Sequence, residues 1–310
     1  MHIDILKNRM LPLAALCALC AAGHAHAQGA AKTVGQTVPP GFTALFDGYS
    51  LNGWRGDERW WSVVDGTITA RTDTKLSSNT FLYYDRPYAD FELRYKYRWR
   101  TPKGNSGVQI RSHVLPGSHA MTGYQVNIVP HLAVRGMADN TPGQVVYNIE
   151  RFNMLYNEKG DRQEMVLLGQ RATISRGAAT AGGTGRVIRT VAELVNDPQA
   201  IVDAVKNGPE WTEVTVIAYG NRIVSAVNGM LAFDAIDDDP VGKSDGLIGI
   251  QLHSTAGTWF ELKDIVIKPL IDKPDLAGRF KTSPRPAPEP RVTYKDSTRA
   301  GLSDVALPAE

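Results

Sequence analysis

"FELRYKYRW", residues 91–99, alternates apolar Phe91, Leu93, Tyr95, Tyr97 and Trp99 with charged Glu92, Arg94, Lys96 and Arg98. Successive side chains of a strand point to opposite faces, so this period of two predicts a strand with one face in a core and the other toward water. Such half-wet strands belong to antiparallel sheets. Working outward, the same rhythm recurs in "WWSVVDGTITA" (60–70), "NTFLYY" (79–84), "SGVQIRSH" (106–113), "GYQVNIV" (123–129), "TEVTVIAYGNRIVSAVNGMLAF" (212–233), "GLIGIQLH" (246–253) and "WFELKDIVIK" (259–268). Asp65-Gly66, Gly220-Asn221 and Asn228-Gly229 are hairpin signals between them. Many hairpins without βαβ alternation predict an all-β, two-sheet antiparallel jelly-roll sandwich. One short helix is expected in "DPQAIVDAVK" (197–206), with Asp197 as N-cap and Pro198 in the first turn.

The ends read differently. Lys7 and Arg9 precede the apolar run "MLPLAALCALCAAG" (10–23), which is followed by "AHA" at 25–27. This is the pattern of a secretory signal peptide, residues 1–27, cleaved after Ala27. The run falls short of the roughly 20 apolar residues of a membrane span, so no membrane anchor is expected. Both cysteines, Cys17 and Cys20, lie inside it, so the mature chain would hold neither disulfide nor thiolate. An exported, periplasmic bacterial protein fits these features. Loss of Asp4, Lys7 and Arg9 takes the formal charge from +2 to +1, which argues against nucleic acid as a partner and favours a neutral ligand.

Residues 28–40 form a polar lead-in, and 41–270 the sandwich. Within it, 130–190 reads as a long excursion, functional and mobile. From 271 the chain is Pro-rich, as in "SPRPAPEP" (283–290), and reads as an extended or flexible tail.

Three strands share one feature. Gln109, Arg111 and His113 oppose Val108 and Ile110; Gln125 and Asn127 oppose Tyr124, Val126 and Ile128; Gln251 and His253 oppose Ile250 and Leu252. If the strands are neighbours, their polar faces merge into a surface rich in amides and poor in lysine and glutamate. Amides offer a donor and an acceptor together, as sugar hydroxyls require. The plainer alternative is an ordinary outward face satisfied by water or by cross-strand bonds. The six tryptophans read as core or turn packing, and Asn105 and Gly107 as turn residues. The acidic run "DAIDDDP" (234–240) reads as solvated loop carboxylates, with an ion site as the rival. Zinc-protease, nucleophile-elbow and phosphate-loop motifs are absent, as is the closely spaced acidic pair of a sandwich-fold glucanase.

Eight blocks together resemble the 3-keto-disaccharide hydrolase family: "FTALFDGYSLNGW" (42–54), "WWSVVDGTITA", "YADFELRYKYRW" (88–99), "GNSGVQIRS" (104–112), "GYQVNI", "LYNEKG" (155–160), "WTEVTVIAYGNRIVSAVNGM" (211–230) and "GLIGIQLHSTAGTWFELKDIVIKPL" (246–270). The resemblance implies a concanavalin A-like lectin/glucanase sandwich whose concave sheet holds carbohydrate. It also implies cleavage of 3-keto-glycosides: a C3 ketone acidifies the C2 proton, removal of that proton expels the C1 substituent, and water adds back. Such a site needs a base, an acid and donors for the developing enolate.

On this resemblance Glu158 is the expected base or acid and Arg111 the enolate clamp. His113 and His253 are rival proton-transfer groups, and Gln109, Gln125, Asn127 and Gln251 orient hydroxyls. No cofactor is expected. Histidine and glutamate leave a divalent metal open, although no spacing marks a site. Many members carry an acidic residue within the "GYQVNI" block and "LYDE" where Asn157 stands here. Asn127 and Asn157 therefore put amides where carboxylates are usual, which keeps a non-catalytic carbohydrate-binding domain as the alternative function.

Overall fold

The computed structural model describes residues 37–130, 149–178, 185–205, 210–289, 291–295 and 304–306. The expected signal peptide lies outside them. Two sheets face each other. The smaller runs, from edge to edge, β10 (Gln163–Val166), β9 (Leu155–Glu158), β8 (Met121–Ile128), β7 (Ser106–Val114), β16 (Leu247–Leu252), β5 (Thr80–Tyr84) and β2 (Trp54–Arg55). Along the larger sheet come β20 (Asp304–Ala306), β19 (Val292–Lys295), β12 (Val187–Leu194), β11 (Gln170–Arg176), β15 (Met230–Asp237), β14 (Arg222–Val227) and β13 (Thr212–Tyr219). It continues through β6 (Phe91–Trp99), β17 (Thr258–Pro269), β4 (Thr67–Thr72) and β3 (Trp61–Val64). β1 (Thr43–Ala44) pairs with β17, and β18 (Arg285–Pro286) with β12. The pairings are antiparallel except β11 with β15, which run parallel. The molecule is thus a jelly-roll sandwich with one short helix among the described residues, α1 (Pro198–Asp203). Its N-cap, Asp197, accepts from the Gln199 amide at 2.8 Å.

β6 lies as its sequence demands. Phe91, Leu93, Tyr95 and Tyr97 are buried in the core between the sheets. Each large apolar side chain so placed contributes about 1.5–3 kcal/mol. The opposite face carries cross-strand ion pairs, Arg98 to Glu261 and Lys96 to Asp264.

Two long segments singled out in the sequence carry strands in their described parts. The 130–190 excursion supplies β9, β10, β11 and the start of β12, so most of its described part is sheet; 131–148 and 179–184 lie outside the described residues. The described residues after 270 are extended, and part of them packs on the larger sheet. Leu270, Leu276 and Phe280 pack on Val195, Ile217, Val224 and Leu231 on the outer face of the larger sheet. The Leu231 amide donates to Lys281, the Lys281 amide to Gly229 and the Ser283 amide to Val195. Proline rules out an inner strand but not an edge one, and β18 pairs with β12 at its Leu194 end.

Candidate active site

Alternation holds along β8, where Gln125 and Asn127 face outward from the smaller sheet. Along β7 it breaks. The pairing of β7 with β8 and with β16 shifts register around Arg111, which has φ +46°. A β-bulge inserts an extra residue and reverses the parity beyond it. Gly246 makes room for the bulge, since a Cβ there would sit 2.4 Å from the Arg111 carbonyl carbon. Arg111 is consequently driven inward.

Its guanidinium, 1 % exposed, donates to the carbonyls of Ala89 and Gly220 at 2.8 and 2.6 Å and to Asp90 at 2.8 Å. Arg111 ties the ends of the two sheets together and is not on the polar face, contrary to the expectation from spacing. His113, beyond the bulge, is exposed and lines none of the cavity described next.

On the outer face of the smaller sheet lies a polar cavity of about 320 Å³. Its floor comes from Gln125, Asn127, Glu158 and Gln251, with His253 just past β16. Gln109 lies beneath, fully buried. A directional chain of hydrogen bonds links the amides. Ser112 Oγ donates to Gln109 Oε1 at 2.7 Å, Gln109 Nε2 to Gln125 Oε1 at 2.7 Å, Gln125 Nε2 to Asn127 Oδ1 at 3.2 Å, and Asn127 Nδ2 to the Arg151 carbonyl at 2.9 Å. The last acceptor is a carbonyl, which cannot donate, so it fixes the orientation of every amide before it. The NH₂ groups of Gln125 and Asn127, which line the cavity, each use one hydrogen in the chain and keep a second for a ligand.

Of the two acidic groups in this cavity, Glu158 has no cationic bonding partner among the described residues. Its Oε1 accepts from Asn79 Nδ2 at 3.4 Å and its Oε2 from Gln251 Nε2 at 3.2 Å. Burial penalises the charge and holds its pKa above the ordinary carboxylate value, against the lowering effect of those two amides. His253 is half-buried, and burial lowers its pKa below the ordinary imidazole value. Its Nδ1 lies 2.7 Å from Thr255 Oγ1. Asn79 connects the two groups, because its Oδ1 accepts from the Ser254 amide at 3.0 Å. The neutral forms of both are thereby favoured, as suits an acid and a base working together.

Of the expected residues, Glu158, His253, Gln125, Asn127 and Gln251 meet in this cavity. The spacing argument did not identify Asn79, Asn105, Arg151, Tyr156, Gln163 or Glu164 as its walls. Asn105, expected only to shape a turn, lines the cavity, and its buried Oδ1 finds no partner among the described residues; the same holds for Gln251 Oε1. A signal existed for Asn105, a polar residue immediately before the polar-faced strand β7. Arg151 and Glu164 pair with each other at 2.7 Å.

Residues 41–268 match the model of the 3-keto-alpha-glucoside-1,2-lyase-like domain. The chain belongs to this family. No curated protein sequence matches it. Among solved structures it is similar to a Parabacteroides distasonis protein described as a "putative glycosyl hydrolase", at 17 % identity and TM-score 0.47, covering 76 % of this chain and 99 % of that one. It is also similar to a Bacillus subtilis carbohydrate binding module, at 13 % identity and TM-score 0.38, covering 70 % and 95 %. A Bacillus subtilis protein of unknown function with a galectin-like fold matches at 10 % identity and TM-score 0.42, covering 72 % and 91 %.

Within this lyase-like domain the two amide replacements sit differently. Asn127 lines the cavity, whereas Asn157 points inward, donating to the Gly123 carbonyl at 3.2 Å and accepting from Arg162 Nε at 3.3 Å. Arg162 in turn pairs with Asp237, to which Tyr124 also donates. The acidic run is likewise engaged: Asp234 binds Arg171 and Arg222, and Asp239 binds Arg176. The carboxylates of Asp234, Asp237 and Asp239 are buried beneath these arginines, whereas Asp238 is exposed. Among the described residues no three histidine, cysteine or acidic side chains converge as a metal site would need, and no helix is long and apolar enough to cross a membrane.

Proposed function

We propose that the protein is an exported, carbohydrate-active enzyme that cleaves 3-keto-glycosides by elimination and hydration. The observation that carries this reading is Glu158: a carboxyl buried at the floor of an amide-lined cavity, pKa raised, held by amides and not by a cation. His253, its neutral form favoured, takes the C2 proton. The resulting enolate collapses to the ketone, forms the C1–C2 double bond and expels the C1 oxygen, which Glu158 protonates. Water then adds at C1 as a proton returns to C2, so the net change is hydrolysis.

Arg151, at the cavity wall and about half exposed, takes the clamp role that Arg111 cannot fill, with the spare amide hydrogens of Gln125 and Asn127 beside it. The scheme draws on the ketone's own acidity and calls on no cofactor. The test is aglycone release from a 3-keto-glucoside by wild type, Glu158→Gln and His253→Ala; undiminished release by both variants would refute these assignments.

Export belongs to the same proposal. It is checked by the mass of the mature chain recovered from the periplasm, which should begin at Gln28.

One observation favours a second reading, a binding domain without turnover. Asn127 stands in the cavity as an amide, at a block where many family members carry an acid. Tight binding of glycosides with no release from the keto form would establish it.

A further inference from the structure

The segment after Leu270 leaves a space between itself and the larger sheet, on the face of the sandwich away from Glu158. This cavity, of about 310 Å³, is walled on the sheet side by the aliphatic side chains of Ile217, Val224 and Ile236, and on the other by Pro274 and Leu276. The matched family domain ends at residue 268, so the second wall is an addition to it. The cations Arg222 and Lys273 line the same cavity, and among the described residues no acidic one does. Asp234 holds Arg222 through Nε and Nη2, at 2.8 and 2.7 Å, which leaves Nη1 without a bond to any described residue. Lys273 is exposed and pairs with no described carboxylate. Asp234 and Asp275 line an adjoining cavity of about 450 Å³, which shares Arg222, Lys273 and Leu276 with the first.

Small-molecule sites combine mostly apolar walls with a few polar groups that fix orientation, and this cavity has that composition. A neutral apolar ligand would leave Lys273 and the Nη1 of Arg222 unused. An anion without an apolar body would leave the aliphatic walls uncovered. A carboxylate carried on an alkyl chain satisfies both, because its chain is removed from water by the walls and its head accepts charge-assisted hydrogen bonds from the two cations. We infer that this cavity is a binding site for a medium-chain aliphatic carboxylate, its head on Lys273 and Arg222 and its chain over Ile217, Val224, Ile236 and Leu276. The site is separate from the polar cavity of the smaller sheet and does not depend on the proposed cleavage.

The experiment uses the full mature chain, methyl-labelled, with octanoate, octanol and acetate as probes, all below micellar concentration. Calorimetry gives the affinity and the methyl spectrum gives the place. Octanoate should bind about tenfold or more tightly than octanol, which lacks the charge, and than acetate, which lacks the chain. It should shift the methyls of Ile217, Val224, Ile236 and Leu276 ahead of all others. Lys273→Gln should weaken octanoate about threefold, as suits an exposed cation, and leave octanol within about twofold, while Lys273→Arg should restore most of the loss. Lys273 is exposed, so neither variant endangers the fold. Octanoate held no more tightly than octanol would leave the cations without a role and overturn the inference. Methyl shifts centred elsewhere, an affinity unchanged by Lys273→Gln, or no binding of octanoate at all would overturn it as well.

Discussion

At the scale of single residues, the site turns on two side chains whose protonation the cavity shifts in opposite directions. With His253 as base and Glu158 as acid, kcat/KM should follow a bell. Its acid limb comes from protonation of His253 below the ordinary imidazole value, its alkaline limb from ionisation of Glu158 above the ordinary carboxylate value. The maximum lies midway between the two shifted values, and a plateau extending to alkaline pH would exclude this division of labour. Glu158→Gln should reduce kcat by about 10²-fold or more. The same variant should be more stable than wild type at neutral pH. A carboxyl with a raised folded pKa loses its stabilising share as pH rises through that value, and the neutral amide does not. The gain should shrink in thermal melts below about pH 4. Arg111 shows what spacing cannot reveal. Its alternation with Gln109 and His113 is correct in sequence, but one bulge at a non-glycine residue of positive φ sends the guanidinium into the protein. Arg111→Met should therefore cost about 1–3 kcal/mol, by removing the donor to the Ala89, Gly220 and Lys243 carbonyls and to Asp90, which keeps only the Gly220 amide.

At the scale of elements, the strands were legible because each carries its own period. Phe91 through Trp99 needs no partner to be recognised, and the Asp197-Pro198 start of α1 is equally local. What was not legible is pairing. That "LYNE" becomes β9 beside β8, bringing Glu158 to Gln251 and Asn79, depends on contacts 93 and 79 residues apart in sequence. Likewise, "DAIDDDP" looks solvated until the arginines of β11 and β14 are placed against it. The amide chain is also a property of pairing, since it crosses from β7 to β8 and ends on Arg151. Asn127→Asp would set a carboxylate oxygen against the Arg151 carbonyl that Asn127 Nδ2 now serves. The account predicts a loss of about 1–3 kcal/mol of stability at neutral pH, smaller in acid where the carboxyl can donate. Urea unfolding at the two pH values measures it.

At the scale of the whole molecule, two features govern stability. The segment after Leu270 closes the outer face of the larger sheet, where Arg279 reaches Glu92. Its proline content suggested looseness because composition does not report the apolar patch it covers. A chain ending at Leu270 should lose about 2–4 kcal/mol from the partly buried Leu276 and Phe280 and bind more of a hydrophobic dye than the full chain. The buried ion pairs set the acid limit. Burial alone would raise Glu92 and Asp239, but bonds from Arg279 and Arg94, and from Arg176, hold both below the ordinary carboxylate value. Carboxyls depressed in the folded state stabilise it above their unfolded pKa, and that share is lost as pH falls through the folded value.

The central claim is that this cavity cleaves glycosides only after a ketone has acidified C2. Purified mature protein, stripped of metal and then resupplied, is mixed with a chromogenic 3-keto-glucoside and with its unoxidised parent, and aglycone release is followed. The account predicts release from the keto form alone, with or without metal, and its loss in Glu158→Gln. Release from neither compound, or from both alike, would contradict it.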